Sequence, residues 1–264
     1  MYFEERARID YEEDDDTKLF IIDVPILDKE NDEEVRSTMP LGMIVVRDDY
    51  FITVSLKQNR IISELEKSKN RNTIITYKKT RTILQIFYKN AEIYLFELKK
   101  LDREKERAEK ELNSSMKNRE LLKMLALEKS LVYFTTSLKS NEVVMEKTLR
   151  GKVIKLYEED EDLLEDAIIE NKQAIEMAKI YSDILSGTMD AYASIISNNL
   201  NIVMKVLTVI TIILSVPTII ASFWGMNVNV PFGNNPFGFY IIAVATLLIT
   251  AISFIIFKKR NLLS

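Results

Sequence analysis

The sequence predicts an α+β fold with membrane helices, in which a small stranded part and a long helical hairpin precede a stalk helix that runs into the first of two membrane spans. Three observations predict it. From Val206 to Phe257 there is no charged residue, although 29% of the chain is charged. From about Arg60 to that point apolar residues recur at intervals of three and four, the period of a helix. Before Arg60, runs rich in β-branched residues alternate with short polar turns, the pattern of strands.

Residues 1–16, MYFEERARIDYEEDDD, are dense in charge and lack periodicity, so they read as solvated, and they carry no apolar run of the kind a signal peptide needs. Leu19–Pro25, Leu41–Val46 and Tyr50–Val54 read as strands. The last two form an antiparallel hairpin across Arg47-Asp48-Asp49, and the acidic stretch Asp28–Glu34 reads as a solvated loop. The first long helix, Thr80–Glu111, carries Ile83, Ile86, Phe87, Ile93, Phe96, Leu98 and Leu101, then becomes almost wholly charged. That charged part, Asp102–Glu111, is expected to project into solvent. Ser114, Ser115 and Asn118 mark a turn. Leu121–Val153 returns as a second helix through Met124, Leu127, Leu131, Phe134 and Leu138, with Gly151 breaking or ending it.

A third helix is expected to start near Asp162 and to reach the membrane without a Pro. Its weak point is Gly187, which costs about 1 kcal/mol. The acidic cluster Glu158–Asp162 suits a helix N-terminus, and that role takes precedence over metal binding. At about 1.5 Å per residue, Val206–Trp224 covers most of a hydrocarbon core of about 30 Å. Residues 228–237 hold Pro231, Gly233 and Pro236 and form a tight external turn, after which Gly238–Phe257 is a second span. The chain so divides into a partial α/β domain (1–75), a helical hairpin (76–160), a stalk helix continuing into the first span (161–227), the loop (228–237), and the second span with its basic tail (238–264).

Composition removes most chemistries. Cys and His are both absent, so no disulfide, zinc finger, thiol nucleophile, imidazole base or haem ligand is available, and any metal is held by oxygen. An enzyme is not expected, nor an organic cofactor. The net charge of −4 argues against a nucleic-acid partner and suits cations.

A second pattern overlies the first span. Asp190, Ser194, Ser197, Asn201, Met204, Thr208, Thr211, Ser215, Thr218, Ser222 and Gly225 follow at steps of four and three without interruption. Such spacing is the seam of helices that wrap around one another with a period near 3.5. Small residues at that spacing also let membrane helices pack closely, and the hydroxyls alone leave packing and pore lining even. Asp190 and Asn201, which continue the face below the membrane, favour a pore shared by several copies. Met204 and Leu207 are the bulkiest groups at its inner end and are expected to close it by dewetting. Lys205, Lys258, Lys259 and Arg260 flank the two spans as a basic collar, which places both termini in the cytoplasm and the loop outside, in a multi-pass protein of the cell membrane. The same cluster suits anionic headgroups of the lipid bilayer.

The seam ends at Gly225-Met226-Asn227, preceded by Trp224 and followed at once by a second span and a basic C-terminus. Together with the approach Ser197–Thr208, SNNLNIVMKVLT, this resembles the CorA family of divalent-cation transporters, whose signature is Gly-Met-Asn at the outer end of the first of two closely spaced spans. The resemblance runs from about Leu19 to the end. It implies a homopentamer shaped as a funnel, with Mg²⁺ as both transported and regulatory ion and Co²⁺ or Ni²⁺ as further cargo. It also implies a truncated α/β domain lacking the family's first part, a selectivity filter at Gly225, Met226 and Asn227, and a regulatory metal site drawing on Asp28, Asp166 and Glu170. One departure is that Val228–Phe239 holds no carboxylate to attract cations. The zinc-transporting ZntB branch, which shares the Gly-Met-Asn, is the alternative for substrate, and an oligomeric coiled-coil anchor without transport is the alternative of another class.

Overall fold

The computed structural model describes residues 7–12, 16–30, 33–47, 49–68, 78–115, 118–151, 153–233 and 235–260. Four strands, β1 (Arg8–Glu12), β2 (Thr17–Glu30), β3 (Glu33–Val46) and β4 (Tyr50–Ser55), are followed by five helices. The helices are α1 (Arg60–Ser68), α2 (Lys79–Ser115), α3 (Asn118–Leu149), α4 (Glu158–Trp224) and α5 (Gly238–Lys259). Met1–Met189 and Asp190–Ser264 form two compact units, α4 contributing to both. The α+β class with helices able to span a membrane is therefore observed.

In the first unit the strands pair antiparallel in the order β1-β2-β3-β4. Residues directly opposite in an antiparallel pair share a face, and the register sets Phe20 against Met43, Ile22 against Leu41 and Val24 against Met39. All six are buried. They pack on Ile83, Leu84 and Phe87 of α2, Val144 and Met145 of α3, and Leu164, Ala167 and Ile168 of α4. Fully burying one such large side chain contributes about 1.5–3 kcal/mol before entropy is counted. Farther along the hairpin Tyr94 meets Phe134 edge to face, ring centres 5.1 Å apart.

Four expectations need correction. Part of the opening segment is a strand: Arg8–Glu12 pairs with Thr17–Ile21, and Ile9, alternating with charged neighbours and opposite Phe20, packs against the core. Most of the acidic stretch 28–34 is strand. β2 and β3 stay in register to Glu30 opposite Glu33, which puts Asp28–Glu30 on β2 and Glu33–Glu34 on β3. Strand pairing persists there beyond the core, with Leu27 already exposed. The charged end of the hairpin does not simply project into solvent, since Leu101, Ala108 and Leu112 are buried and Thr188 of α4 reaches Glu109 Oε1 at 3.5 Å. Finally, α4 begins at Glu158 rather than Asp162, its first turn closed by Asp160 and Glu161 amides donating to the Tyr157 carbonyl. Arg81 of α2 anchors this start through Glu159 at 3.0 Å and Asp160 at 3.5 Å.

α3 ends as expected at Gly151, whose φ of 67° is the left-handed conformation that terminates helices. Pro25 and Pro40 lie inside strands, past the last β1 partner (Ile21) and the last β4 partner (Leu41), where each strand has a neighbour on one side only and tolerates a missing N–H. At Asp23, where β1 has already ended, the Asn141 carboxamide of α3 stands in for the absent strand. Its Oδ1 accepts from Asp23 N and its Nδ2 donates to Asp23 O, both at 2.8 Å.

Candidate ion pathway

The second unit inverts the first. Leu207, Leu214, Leu247 and Leu248 are all more than half exposed, so the apolar surface that a soluble protein would hide is turned outward. α4 and α5 are both long and apolar enough to cross a membrane. α4 continues helically through Pro217, where the Ile213 carbonyl loses its intrahelical donor, a gap that membrane helices tolerate.

On α4 the seam survives as one stripe. An undistorted helix drifts about 20° per heptad from a 3.5 repeat. Over the five heptads from Asp190 to Gly225 the stripe therefore winds by about 100°, a drift that left-handed coiling of helices around one another takes up. Asp190, Asn201, Met204, Leu207, Thr208, Thr211, Thr218 and Ser222 are exposed within the single chain, and Ser215 is half-buried.

The hydroxyls have a defined polarity. Thr208, Thr211, Ser215 and Thr218 donate to the carbonyls of Met204, Leu207, Thr211 and Leu214 at 2.8, 2.8, 2.7 and 3.0 Å. Each hydroxyl hydrogen is thereby spent inside the helix, and what the stripe presents outward is oxygen lone pairs. A surface of acceptors suits a hydrated cation, whose water hydrogens point away from the ion. It suits an anion poorly.

At its C-terminal end α4 stops at Trp224, with Gly225 N donating to Ala221 O at 2.9 Å. Met226 and Asn227 lie beyond the helix and are exposed. Asn227 makes no hydrogen bond among the described residues, and it lacks the positive φ that an Asn helix cap adopts. The returning loop is clamped: the Trp224 indole N–H donates to Pro231 O at 3.1 Å, and a turn at Phe232 (φ 65°) brings its carbonyl against Gly238 where any side chain would collide. This clamp was missed in the sequence. A signal was there, because a glycine opening an apolar span is a poor helix former and needs a reason.

Lys258 and Lys259 occupy the last turn of α5 and Arg260 caps it, so three cations sit at the negative pole of a helix. Lys205 lies on α4 one residue before the uncharged stretch.

The proposed regulatory carboxylates are not gathered within one chain. Asp166 and Glu170 stand one turn apart on α4, close enough to Tyr88 of α2 to help raise its pKa, after burial and Glu92. Asp28 is on β2, opposite Val35, and ion-paired with Lys57 at 3.2 Å. Among the described residues no group of three or more acidic side chains is assembled that could hold a metal ion.

Comparison with known proteins follows this geometry. A family described as CorA-like Mg²⁺ transporter protein matches residues 2–259. A cobalt/magnesium transport protein CorA from Methanocaldococcus jannaschii is 30% identical over 260 residues, covering 95% of this chain and 78% of that protein. The CorA of Thermotoga maritima is 34% identical over 146 residues, 51% of this chain and 42% of that one. Among solved structures, the complete CorA magnesium transporter of M. jannaschii aligns with a TM-score of 0.81 and 29% identity over 96% of this chain and 79% of its own. The ZntB cytoplasmic domain from Vibrio parahaemolyticus aligns at 0.55 with 14% identity, covering 75% of each chain, a likeness of fold alone.

Proposed function

Because the chain belongs to the CorA family of Mg²⁺ transporters, we propose that it is one subunit of a homopentameric Mg²⁺ channel whose pore is lined by the α4 stripe. The observation that carries this reading is the uninterrupted 4-3 run of small and polar residues on α4 to Gly225, followed by an Asn227 that has no hydrogen-bond partner among the described residues. Mg²⁺ gives up its water reluctantly, so a ring of neutral amide oxygens that accepts hydrogen bonds from the hydrated ion costs less than one that strips it. Asn227, with Gly225 and Met226 shaping the end of the helix, supplies that ring. Farther in, Thr211, Ser215, Thr218 and Ser222 pass the hydrated ion from one lone pair to the next. Met204 and Leu207 close the path by dewetting, and Asn201 and Asp190 hold the ion below the constriction. Lys205, Lys258, Lys259 and Arg260 mark the cytoplasmic side of the cell membrane.

Regulation follows from where the carboxylates lie. Asp166 and Glu170 are not gathered with Asp28 into one group among the described residues, so the regulatory Mg²⁺ we propose is shared with a neighbouring subunit. An ion bound there in the closed form and not the open one favours closure by its differential affinity.

The test is Mg²⁺ uptake into proteoliposomes by Asn227→Gly. Uptake is expected to fall to background while membrane insertion and oligomeric state are retained. If the variant transports Mg²⁺ at the parent rate, Asn227 is not the selectivity element; Zn²⁺ uptake by the parent in place of Mg²⁺ moves the chain to the zinc branch.

A further inference from the structure

A cavity at the charged end of the α2–α3 hairpin plays no part in the ion pathway. About 330 Å³ in volume, it lies between the two arms and beside Arg36 of β3. It exists because Ala108 of α2 and Ala126 of α3 line it with methyl groups, whereas nearer the sheet the arms fill their interface with side chains as large as Tyr94 and Phe134. One wall is apolar, made by those two alanines and Leu127. The remainder is charged, and four basic residues, Arg36, Arg107, Arg119 and Lys123, outnumber the two acidic ones, Glu104 and Glu111. That excess reverses the sign of the chain's net charge of −4.

The four cations are not equivalent. Arg36 is buried and saturated: its fork meets Glu104 at 2.7 Å twice and its Nε meets Glu97 at 3.0 Å. Lys123 is held by Glu111 at 3.0 Å and Glu120 at 2.7 Å. Arg107 and Arg119 are exposed, on opposite arms, and neither forms an ion pair among the described residues. The charge of Arg119 reaches Glu111 without an ion-pair contact and helps hold that carboxyl below its usual range, behind the larger effects of Lys123 and Glu120. Two planar guanidinium forks without carboxylate partners, one on each side of a cleft with an apolar wall, match a phosphate joined to a flat apolar body. Ser130 adds an acceptor, because its hydroxyl hydrogen is already given to Ala126 O at 3.0 Å.

We propose that this cleft binds a small organic phosphate of nucleoside-monophosphate size, the phosphate between Arg107 and Arg119 and the ring system against Ala108, Ala126 and Leu127. The volume lies at the low end of the range for ligand pockets, about 300–1,000 Å³, which admits one ring system with one phosphate. Such a ligand cross-links α2 to α3 at the charged end of the hairpin, and so makes hairpin order depend on metabolite concentration.

AMP is the probe, because it chelates Mg²⁺ far more weakly than a triphosphate does and leaves the ion concentration unchanged. Calorimetric titration of the full chain in detergent is expected to show saturable AMP binding at least about tenfold tighter than inorganic phosphate. Loss of both charge-assisted contacts in Arg107→Ala with Arg119→Ala is expected to weaken it by at least about tenfold. Both arginines are exposed, so the double variant keeps the parent's thermal stability. Ala126→Leu, which fills the cleft and leaves every charge in place, is expected to abolish AMP binding. The proposal is overturned by an absence of saturable binding, by equal affinity for AMP and phosphate, or by a double variant that binds AMP as the parent does.

Discussion

The two units of the chain differ in where their polar atoms find partners, although hydroxyls on helices of both donate to the carbonyl one turn back. In Met1–Met189 polar groups far apart in sequence bond to one another: Asp23 O alone accepts from Asn90 Nδ2 at 2.9 Å, Asn141 Nδ2 at 2.8 Å and the Tyr94 hydroxyl at 3.2 Å. In Asp190–Ser264 the hydroxyls of α4 satisfy their hydrogens locally and leave their oxygens pointing away from the chain. The first arrangement fixes one packing of helices on a sheet, since each bond is lost if α2 or α3 slides. The second fixes nothing within one chain. It leaves a surface open to water, ions or other copies, which is what the proposed conduit needs and a core must avoid.

The largest test of this contrast is to alter an outward-facing side chain of the second unit and ask whether function or folding responds. Met204 is 53% exposed, so its truncation removes no intrachain core. Met204→Ala is expected to leave the oligomer intact and to raise basal Mg²⁺ flux by about tenfold, the change that about 1.4 kcal/mol in a closed–open equilibrium gives. Unchanged flux in an intact oligomer would place the constriction elsewhere. A chain that no longer inserts or assembles would mean that Met204 is a packing residue and that the contrast between the units fails at this position.

How much was legible in the sequence follows the same division. In the second unit both spans, the stripe and Gly225-Met226-Asn227 were readable, because a membrane imposes a length and an absence of charge that composition displays directly. In the first unit the hairpin helices were readable from periodicity, whereas β1 and the far halves of β2 and β3 were not. Arg8–Glu12 does alternate, with Ile9 and Tyr11 between charges, but over only five residues inside a dense run of charge, and Asp28–Glu30 and Glu33–Glu34 are polar strand ends held by main-chain bonds to a neighbour. The burial of Ala108 and Leu112 in a run of charges was hidden for a related reason, since two apolar residues in a decade of charged ones look like a solvated face until a partner helix is known. The Asn141 bridge to Asp23 spans 118 residues, and local pattern contains no trace of such pairs.

A middle-sized effect lies at Asp166, exposed on the part of α4 that belongs to the first unit. If a regulatory Mg²⁺ is shared between subunits there, this is the one place where the first unit also turns oxygen outward for an ion, and the contrast is sharpened into a rule about ion sites. Asp166→Lys puts a tethered ammonium in place of the ion. Inhibition of flux by internal Mg²⁺ is expected to weaken severalfold, with the closed form retained. An inhibition curve that overlays the parent's removes Asp166 from the site.

The smallest effect, and the most direct test of the first unit, is at Asp23. Its carboxyl is largely buried, and burial raises its pKa above the ordinary 3.8, with a hydrogen bond from the Ser137 hydroxyl pulling part of the way back. That hydroxyl also lies 2.8 Å from Thr38 Oγ1. The sign follows from proton linkage: the folded form holds the proton more tightly than the unfolded one, so the favourable contribution of Asp23 is complete below pH 3.8 and is lost as pH rises through the folded value. At neutral pH the ionised carboxylate therefore works against folding. Asp23→Asn keeps the shape and an acceptor for Ser137 while removing the ionisation, and the backbone bonds from Asn90, Asn141 and Tyr94 are untouched. The variant is expected to melt higher than the parent near pH 7, by about 2–4 °C if the gain is about 1 kcal/mol in a unit of this size, and to lose that advantage as the pH falls toward 4. Near-ultraviolet circular dichroism of the full chain in detergent reads this through the tyrosines. If Asp23→Asn instead melts lower at every pH, the carboxylate is a needed acceptor, and the first unit satisfies even its charges within the chain more completely than burial alone implies.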